Sequence, residues 1–162
     1  LLEAIALQNK YFLCIVGTGD VIERLKERAK ENDLHKKVLF IPPQSYDKMM
    51  QYTMNCDVGV SLDKNNNVNY QFSLPNKIFD YMYSGKPIIH SVNTSNDIVQ
   101  IAKAGISIEP ENSREIANTI IEISKMEKDK LNKWGENAKK YVEENHTYTY
   151  LTQLLISTIQ ND

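Results

Sequence analysis

Residues 74–89 of this chain read LPNKIFDYMYSGKPII, a pattern that predicts a short helix followed directly by a strand. Pro75 suits the start of a helix, because the N–H that proline lacks would have no intrahelical partner there. Gly85 offers a left-handed exit from the helix, and Pro87 keeps the helix from continuing. The apolar residues after Pro87 predict a buried strand that begins directly behind the helix.

The start of this helix suits an anion. The backbone N–H groups near residues 73–77 lie at the positive end of the helix dipole, and Lys77 adds a charge beside them. Such a terminus favours a negative ligand, most simply a phosphate. Two plainer interpretations stay open, in which Lys77 is a solvated charge and Asp80 is an exposed helix residue.

Short apolar runs alternate with helical patterns along the rest of the chain. No hairpin signal separates the runs, so they predict a parallel sheet covered by helices on both faces, a Rossmann-like three-layer α/β/α fold. Asp20 is expected to cap the first long helix. The predicted strands are 11–16, 38–41, 57–62, 87–92 and 105–108, and the predicted helices are 20–32, 45–54, 75–84, 96–104, 113–126, 128–145 and 147–160.

Composition sets the class of protein. The 162 residues include 41% hydrophobic and 25% charged residues, which are values typical of one globular domain. A net charge of −2 gives no reason to expect nucleic acid or a membrane surface as a partner. Two cysteines without zinc spacing, no signal peptide and no apolar run of about 20 residues indicate a cytoplasmic protein. Residues 1–7 start in mid-helix without an initiator Met, so we expect a piece of a longer protein.

Ligands of parallel α/β sheets bind beyond the carboxyl ends of the strands. The longest segment at that edge leads into the helix at Pro75, and long loops on compact domains are more often functional than ornamental. His90 also ends a strand there and is a secondary candidate, although a strand-end residue is a better interpretation than a base. The segments at this edge are 17–20, 42–45, 62–77, 90–93 and Glu109.

The pattern from Ser73 to Met82, followed by Gly85-Lys86-Pro87-Ile88-Ile89, resembles the nucleotide-sugar-binding core of retaining glycosyltransferases of family 4. The resemblance extends over most of the chain. Residues 12–19 (FLCIVGTG) resemble the glycine loop of that family, 38–42 its second strand, 57–61 its third strand, and 96–106 its next helix–strand step.

This resemblance implies the GT-B architecture, in which two Rossmann-like domains face a cleft. Residues 1–162 are similar to the C-terminal donor-binding domain alone, so the N-terminal acceptor-binding domain and a strand carrying an Arg and a Lys for the diphosphate would be missing. The implied reaction transfers a sugar, most simply from UDP, with retention of configuration and without a metal or other cofactor. The implied pathway is surface polysaccharide synthesis, with any contact to the inner membrane made by the absent half. The last helix would cross to that half, leaving its apolar residues exposed here.

The resemblance also implies roles for single residues. Asp80 stands where the family has an acid that accepts hydrogen bonds from the ribose hydroxyls, and a carboxylate suits two adjacent hydroxyls. The family has another glutamate upstream, and Tyr70 or Gln71 falls nearest to its place. Of the remaining residues, Ser73, Leu74 and Lys77 would face the diphosphate, Gly17 and Gly19 would admit a close backbone approach, and Ile41 and Pro42 would border the base.

Other interpretations remain open. Gly17-Thr18-Gly19 lacks the third glycine of a dinucleotide fingerprint, so it disfavours NAD, and it also fits a plain strand-to-helix turn. A sugar-nucleotide epimerase of the same architecture would need an acid/base pair, for which Glu109 and His90 are poor substitutes. A non-catalytic nucleotide- or partner-binding module is the third possibility.

Overall fold

The computed structural model describes residues 1–7, 11–62, 74–92, 94 and 96–160. Their contacts divide the chain into two compact units, the first formed by Leu1–Tyr52 with Asn112–Lys125 and the second by Thr53–Glu111 with Met126–Asp162. In chain order the elements are α1 (Leu2–Ala6), β1 (Leu13–Val16), α2 (Ile22–Glu31), β2 (Val38–Ile41), α3 (Tyr46–Asn55), β3 (Gly59–Leu62), α4 (Asn76–Tyr83), β4 (Ile88–Ser91), α5 (Ile98–Ile101), β5 (Gly105–Ile108), α6 (Ser113–Lys125), α7 (Lys128–Asn145) and α8 (Tyr148–Gln160).

The first unit contains a parallel pair of strands. β1 and β2 pair from Leu13 opposite Val38 to Val16 opposite Ile41. Alternate residues of the strands, such as Leu13 and Phe40, pack against the core of this unit, since side chains of a strand alternate between its faces. The buried residues of that core are Leu2, Ile5, Ala29, Leu34 and Val38.

The second unit contains a three-stranded parallel sheet with β4 in the middle. All four residues of β4 are buried, as expected for a central strand covered on both faces. Ile78 and Met82 of α4 have no exposed surface and anchor this helix to the core. The buried residues of the core are Ile78, Met82, Ile88, Ile98, Val99, Ala104, Ala138 and Val142.

The predicted α/β class with parallel strands is confirmed, but the described strands form two parallel sheets, β1–β2 and β3–β4–β5, and not the single sheet that we expected. Apolar strands look alike whichever neighbour they pair with, so the pattern of a strand does not encode its partner.

The cap of α2 also differs from the prediction. Val21 is the N-cap and no side chain caps the helix, while the Ile22 N–H donates to the Gly19 carbonyl at 3.0 Å.

α8 lies outside both cores. None of its residues is buried, and Tyr148, Leu155 and Ile159 are 92%, 60% and 66% exposed. The expected exposure of this last helix is therefore confirmed for this chain. Across the described ranges, every helix is too short or too polar to pass through a lipid bilayer.

Candidate functional site

The first turn of α4 presents uncapped backbone N–H groups. Pro75 is the N-cap, in an extended conformation with φ −62° and ψ 134°, and its side chain makes no capping hydrogen bond. Its carbonyl accepts from the Ile78 N–H at 3.0 Å, which starts the helix. Leu74 packs against the core, while Lys77 is exposed in the first turn. Within the part of the chain that the structure describes, the helix therefore starts without a side-chain cap and with a cation close by, a combination that suits an anion.

Asp80 lies on the same side of α4 as Lys77, because residues three apart on a helix are neighbours. Its carboxylate is half-buried, whereas Ile78 and Met82 on the opposite side are fully buried. An acid and a base thus share the side of α4 that is not packed into the core. A cation and a hydrogen-bond acceptor in that order can bind a phosphate and the hydroxyls next to it.

The end of α4 fixes how the chain enters β4. Gly85 has a φ of +64°, which is the left-handed conformation that the sequence predicts at this position. The Gly85 N–H donates to the Met82 carbonyl at 3.0 Å and the Lys86 N–H donates to the Tyr81 carbonyl at 3.0 Å. These two bonds form a Schellman motif, which satisfies the last carbonyls of the helix. β4 begins three residues later, so the predicted helix–strand junction is confirmed.

His90 is buried near the end of β4. It is 1% exposed, and its Nδ1 lies 3.0 Å from Oδ1 of Asp97, which is 6% exposed. Burial raises the pKa of the Asp97 carboxyl, but hydrogen bonds from His90 and from the Val99 N–H outweigh it, so this pKa lies below its usual value. Asp97 is therefore a carboxylate at neutral pH, held inside the unit by hydrogen bonds.

In the first unit the structure joins two of the predicted residues. The Gly17 N–H donates to the Ile41 carbonyl at 2.9 Å, which extends the β1–β2 ladder by one bond beyond the strands. Gly17 has a φ of +134°, a conformation that side chains other than glycine rarely adopt. A Cβ built on Gly17 or Gly19 would meet no atom within 4 Å among the described residues. Pro42 is exposed beside them, so this turn leaves room for a close approach of its backbone.

Three predicted residues, Ser73, Tyr70 and Gln71, lie outside the described residues. No pattern in the sequence predicts that Asp97 is the partner of His90. An acid directly before the apolar run of α5 is a helix-cap signal, and that signal could have drawn attention to Asp97. Its distance from His90 along the chain hid the contact.

Comparison with known proteins identifies the family pattern in most of the chain. The model of the family described as glycosyl transferases group 1 matches residues 1–141. A curated relative, the uncharacterized glycosyltransferase MJ1069 of Methanocaldococcus jannaschii, is 28% identical over 144 residues, which cover 88% of this chain and 35% of that protein. The chain thus spans about a third of the length of this relative.

Solved structures share the fold. HepE of Anabaena, solved in complex with UDP-glucose, has a TM-score of 0.82 and 18% identity, covering 100% of this chain and 44% of that one. The C-terminal domain of a glycosyl transferase group 1 family protein, LpcC of Francisella tularensis, has a TM-score of 0.72 and 17% identity, covering 91% of this chain and 77% of that one. At these identities the likeness shows the fold alone, which is the three-layer α/β/α fold found in GT-B glycosyltransferases.

Proposed function

This chain belongs to the glycosyl transferases group 1 family, and we propose that it is the C-terminal, donor-binding domain of a retaining glycosyltransferase of family 4. The pattern of residues 73–82 and the Gly85-Lys86-Pro87 turn support this proposal. So does the likeness to a solved C-terminal domain from the same group of proteins, of which this chain covers 77%.

The start of α4 carries the proposal that the ligand is a nucleoside diphosphate sugar. A diphosphate brings two or more negative charges, which the first-turn N–H groups and the exposed Lys77 can bind together. The likeness to HepE, solved with UDP-glucose, favours UDP as the nucleotide. Leu74 packs against the core just before this turn and holds it in place.

Asp80 is proposed to bind the ribose. It lies one turn further along α4 than Lys77, so a ligand whose phosphates meet the helix start would place its ribose hydroxyls further along the same side. A carboxylate accepts from two neighbouring hydroxyls, and the resulting charge-assisted bonds are stronger than those between neutral groups. In the first unit, taken by itself, the open turn at Gly17 and Gly19, with Ile41 and Pro42 beside it, is proposed to admit a close approach of its backbone to a ligand.

The rest of the enzyme is proposed to lie outside this chain. The chain spans 35% of one relative and 44% of one solved structure, which leaves room for an acceptor-binding domain in the whole protein. The exposed apolar side chains of α8 suit an element that is covered in the whole enzyme. We expect this chain alone to bind the donor without turnover, since transfer needs an acceptor and a closed, water-excluding cleft.

The proposed reaction transfers the sugar with retention and without a metal, in surface polysaccharide synthesis in the cytoplasm. Here the residues of this chain bind and orient the donor. The N–H groups of α4 and Lys77 would stabilise the charge that develops on the leaving diphosphate.

The first experiment is a calorimetric titration of the full-length protein with UDP, GDP and ADP. We expect saturable binding of UDP, and a loss of about tenfold in affinity in Asp80→Ala, which corresponds to about 1.4 kcal/mol. Asp129→Ala is the matched control, because Asp129 lies in the first turn of another helix, α7, and should leave affinity unchanged. Both variants should melt like the wild type.

The outcomes separate the possible functions. UDP affinity that is unchanged in a folded Asp80→Ala variant would remove Asp80 from the site. A wild-type protein that binds none of the three nucleotides would refute the donor-binding proposal and favour a non-catalytic module. Release of an epimerised donor by the full-length protein without any acceptor would favour the epimerase.

A further inference from the structure

A row of polar side chains crosses the three-stranded sheet of the second unit, one residue before its strands end. Ser61 of β3, His90 of β4 and Ser107 of β5 are partners in the register of the sheet. Ser61 and His90 are 0% and 1% exposed. Register partners in a sheet point to the same face, so three polar groups lie side by side on one face of this sheet.

Asp97 completes this row from outside the sheet. It is the N-cap of the short helix α5, and its Oδ1 accepts from the Val99 N–H at 2.9 Å and the Gln100 N–H at 3.4 Å. The same oxygen lies 3.0 Å from His90 Nδ1. An ionised carboxylate can only accept, so His90 must hold a proton on Nδ1 and donate it to this bond.

Burial of the His90–Asp97 pair costs free energy, which makes a purely structural role unfavourable. A buried carboxylate and imidazole lose their hydration, and only good hydrogen bonds offset that loss. The adjacent positions of β4 are filled by Ile88 and Ile89, so an apolar residue at position 90 would continue the core. The polar pair instead connects two elements, because its hydrogen bond joins the end of β4 to the start of α5.

The bond closes the turn between these two elements, since it joins His90 of β4 to Asp97, the N-cap of α5. Within the turn, the Asn96 N–H donates to Thr94 Oγ1 at 3.3 Å. Ligands of parallel sheets bind beyond the carboxyl ends of the strands, which is where this turn stands.

We propose that His90 is a positioning residue for donor binding: through its hydrogen bond to Asp97 it holds the start of α5, which follows the carboxyl end of β4 in the chain, as one wall of the donor site. This inference rests on the proposed function. Because His90 is 1% exposed, it acts through Asp97 and not by touching the nucleotide sugar itself. The chemical class of the ligand is a nucleoside diphosphate sugar.

The test compares two variants of His90 in the full-length enzyme. His90→Leu has a similar volume and no donor, whereas His90→Asn places an amide N–H close to the position of Nδ1. We expect His90→Leu to raise the donor KM and the Kd for UDP by about fivefold with kcat changed by less than about twofold. We expect His90→Asn to return both constants to within about twofold of the wild type. A purely structural loss would lower the folded fraction and kcat while leaving KM unchanged.

Two further experiments support the test, and the second does not require that His90→Leu folds. Amide hydrogen exchange at Val99 and Gln100 should be faster in His90→Leu, because their acceptor is then less firmly held. Asp97→Asn keeps an oxygen for the helix amides but weakens the bond from His90, so it should raise the donor KM by about threefold even where His90→Leu does not fold. Ser61→Ala is the control. It removes a hydroxyl from the same row but leaves the His90–Asp97 hydrogen bond in place, so the donor KM should be unchanged.

The outcomes are distinct. A wild-type enzyme that binds UDP and a folded His90→Leu variant with the same KM would overturn this inference and leave the proposed function intact. Equal effects of Asn and Leu at position 90 would also overturn it, since the bond to Asp97 would not matter. A wild-type enzyme that binds no nucleotide would overturn both.

Discussion

Gly135 of α7 lies against the carbonyl oxygen of Gly85, so closely that a Cβ at position 135 would overlap this oxygen. Gly85 itself is the left-handed residue that ends α4. One glycine pair therefore sets both the end of α4 and the distance between α4 and α7. Since α4 carries Lys77 and Asp80, this contact also fixes where the candidate donor-binding side chains stand.

Gly135→Ala should destabilise the protein by about 1–3 kcal/mol, because the added methyl group must push two backbones apart. The free energy of unfolding can be measured by urea denaturation followed by circular dichroism. Gly19→Ala is the matched control, as its Cβ would meet no atom within 4 Å among the described residues and its stability should change little. Equal free energies of unfolding for the two variants would show that the two backbones at the α4–α7 contact can move apart without loss of stability.

Lys77→Gln should weaken binding of UDP by about threefold to tenfold while leaving binding of uridine within about twofold, since only the diphosphate meets the start of α4. Titrations at two salt concentrations should show a shallower salt dependence for the variant, because one screened charge is lost. Lys128→Gln, at the exposed start of α7, is the control. An equal loss for UDP and uridine would place Lys77 away from the phosphates.

The junction between α4 and β4 was predictable from the sequence because its signals are local. Gly85 and Pro87 define a left-handed end and a stop within a few residues, and the Schellman motif at Gly85 follows from them. The contact with Gly135 was not predictable, because the two glycines are 50 positions apart and close approach leaves no mark on either local pattern.

The candidate site likewise combines features that the sequence predicts with contacts that it does not. The rule about strand ends located Gly17, the family resemblance pointed to Ile41, and the structure joins them with a backbone hydrogen bond. His90 was placed correctly at the end of its strand, but its partner Asp97 could be recognised only once β4 and α5 were packed. The prediction that Asp20 caps α2 was wrong, because the turn closes through a backbone hydrogen bond from the Ile22 N–H to the Gly19 carbonyl and needs no side chain.

Asp97→Asn should lower the free energy of unfolding at pH 7 by roughly 1–2 kcal/mol, because a buried carboxylate that accepts several hydrogen bonds is replaced by a weaker acceptor. The folded-state pKa of Asp97 lies below its unfolded value of 3.8. Its stabilising contribution is therefore fully present above that value and is lost as the pH falls through the folded-state pKa. The stability gap between wild type and variant should thus narrow as the pH falls below 3.8 and towards the lower folded-state pKa.

Urea denaturation at several values of pH measures this gap directly. Asp57→Asn, at an exposed position, is the control and should show little gap at any pH. A gap for Asp97→Asn that stays constant as the pH falls well below 3.8 would mean that the carboxylate charge does not stabilise the fold, and that Asp97 serves only as a neutral cap of α5. In that case the hydrogen bond from His90 would gain nothing from the charge, and its hold on the start of α5 would be correspondingly weaker.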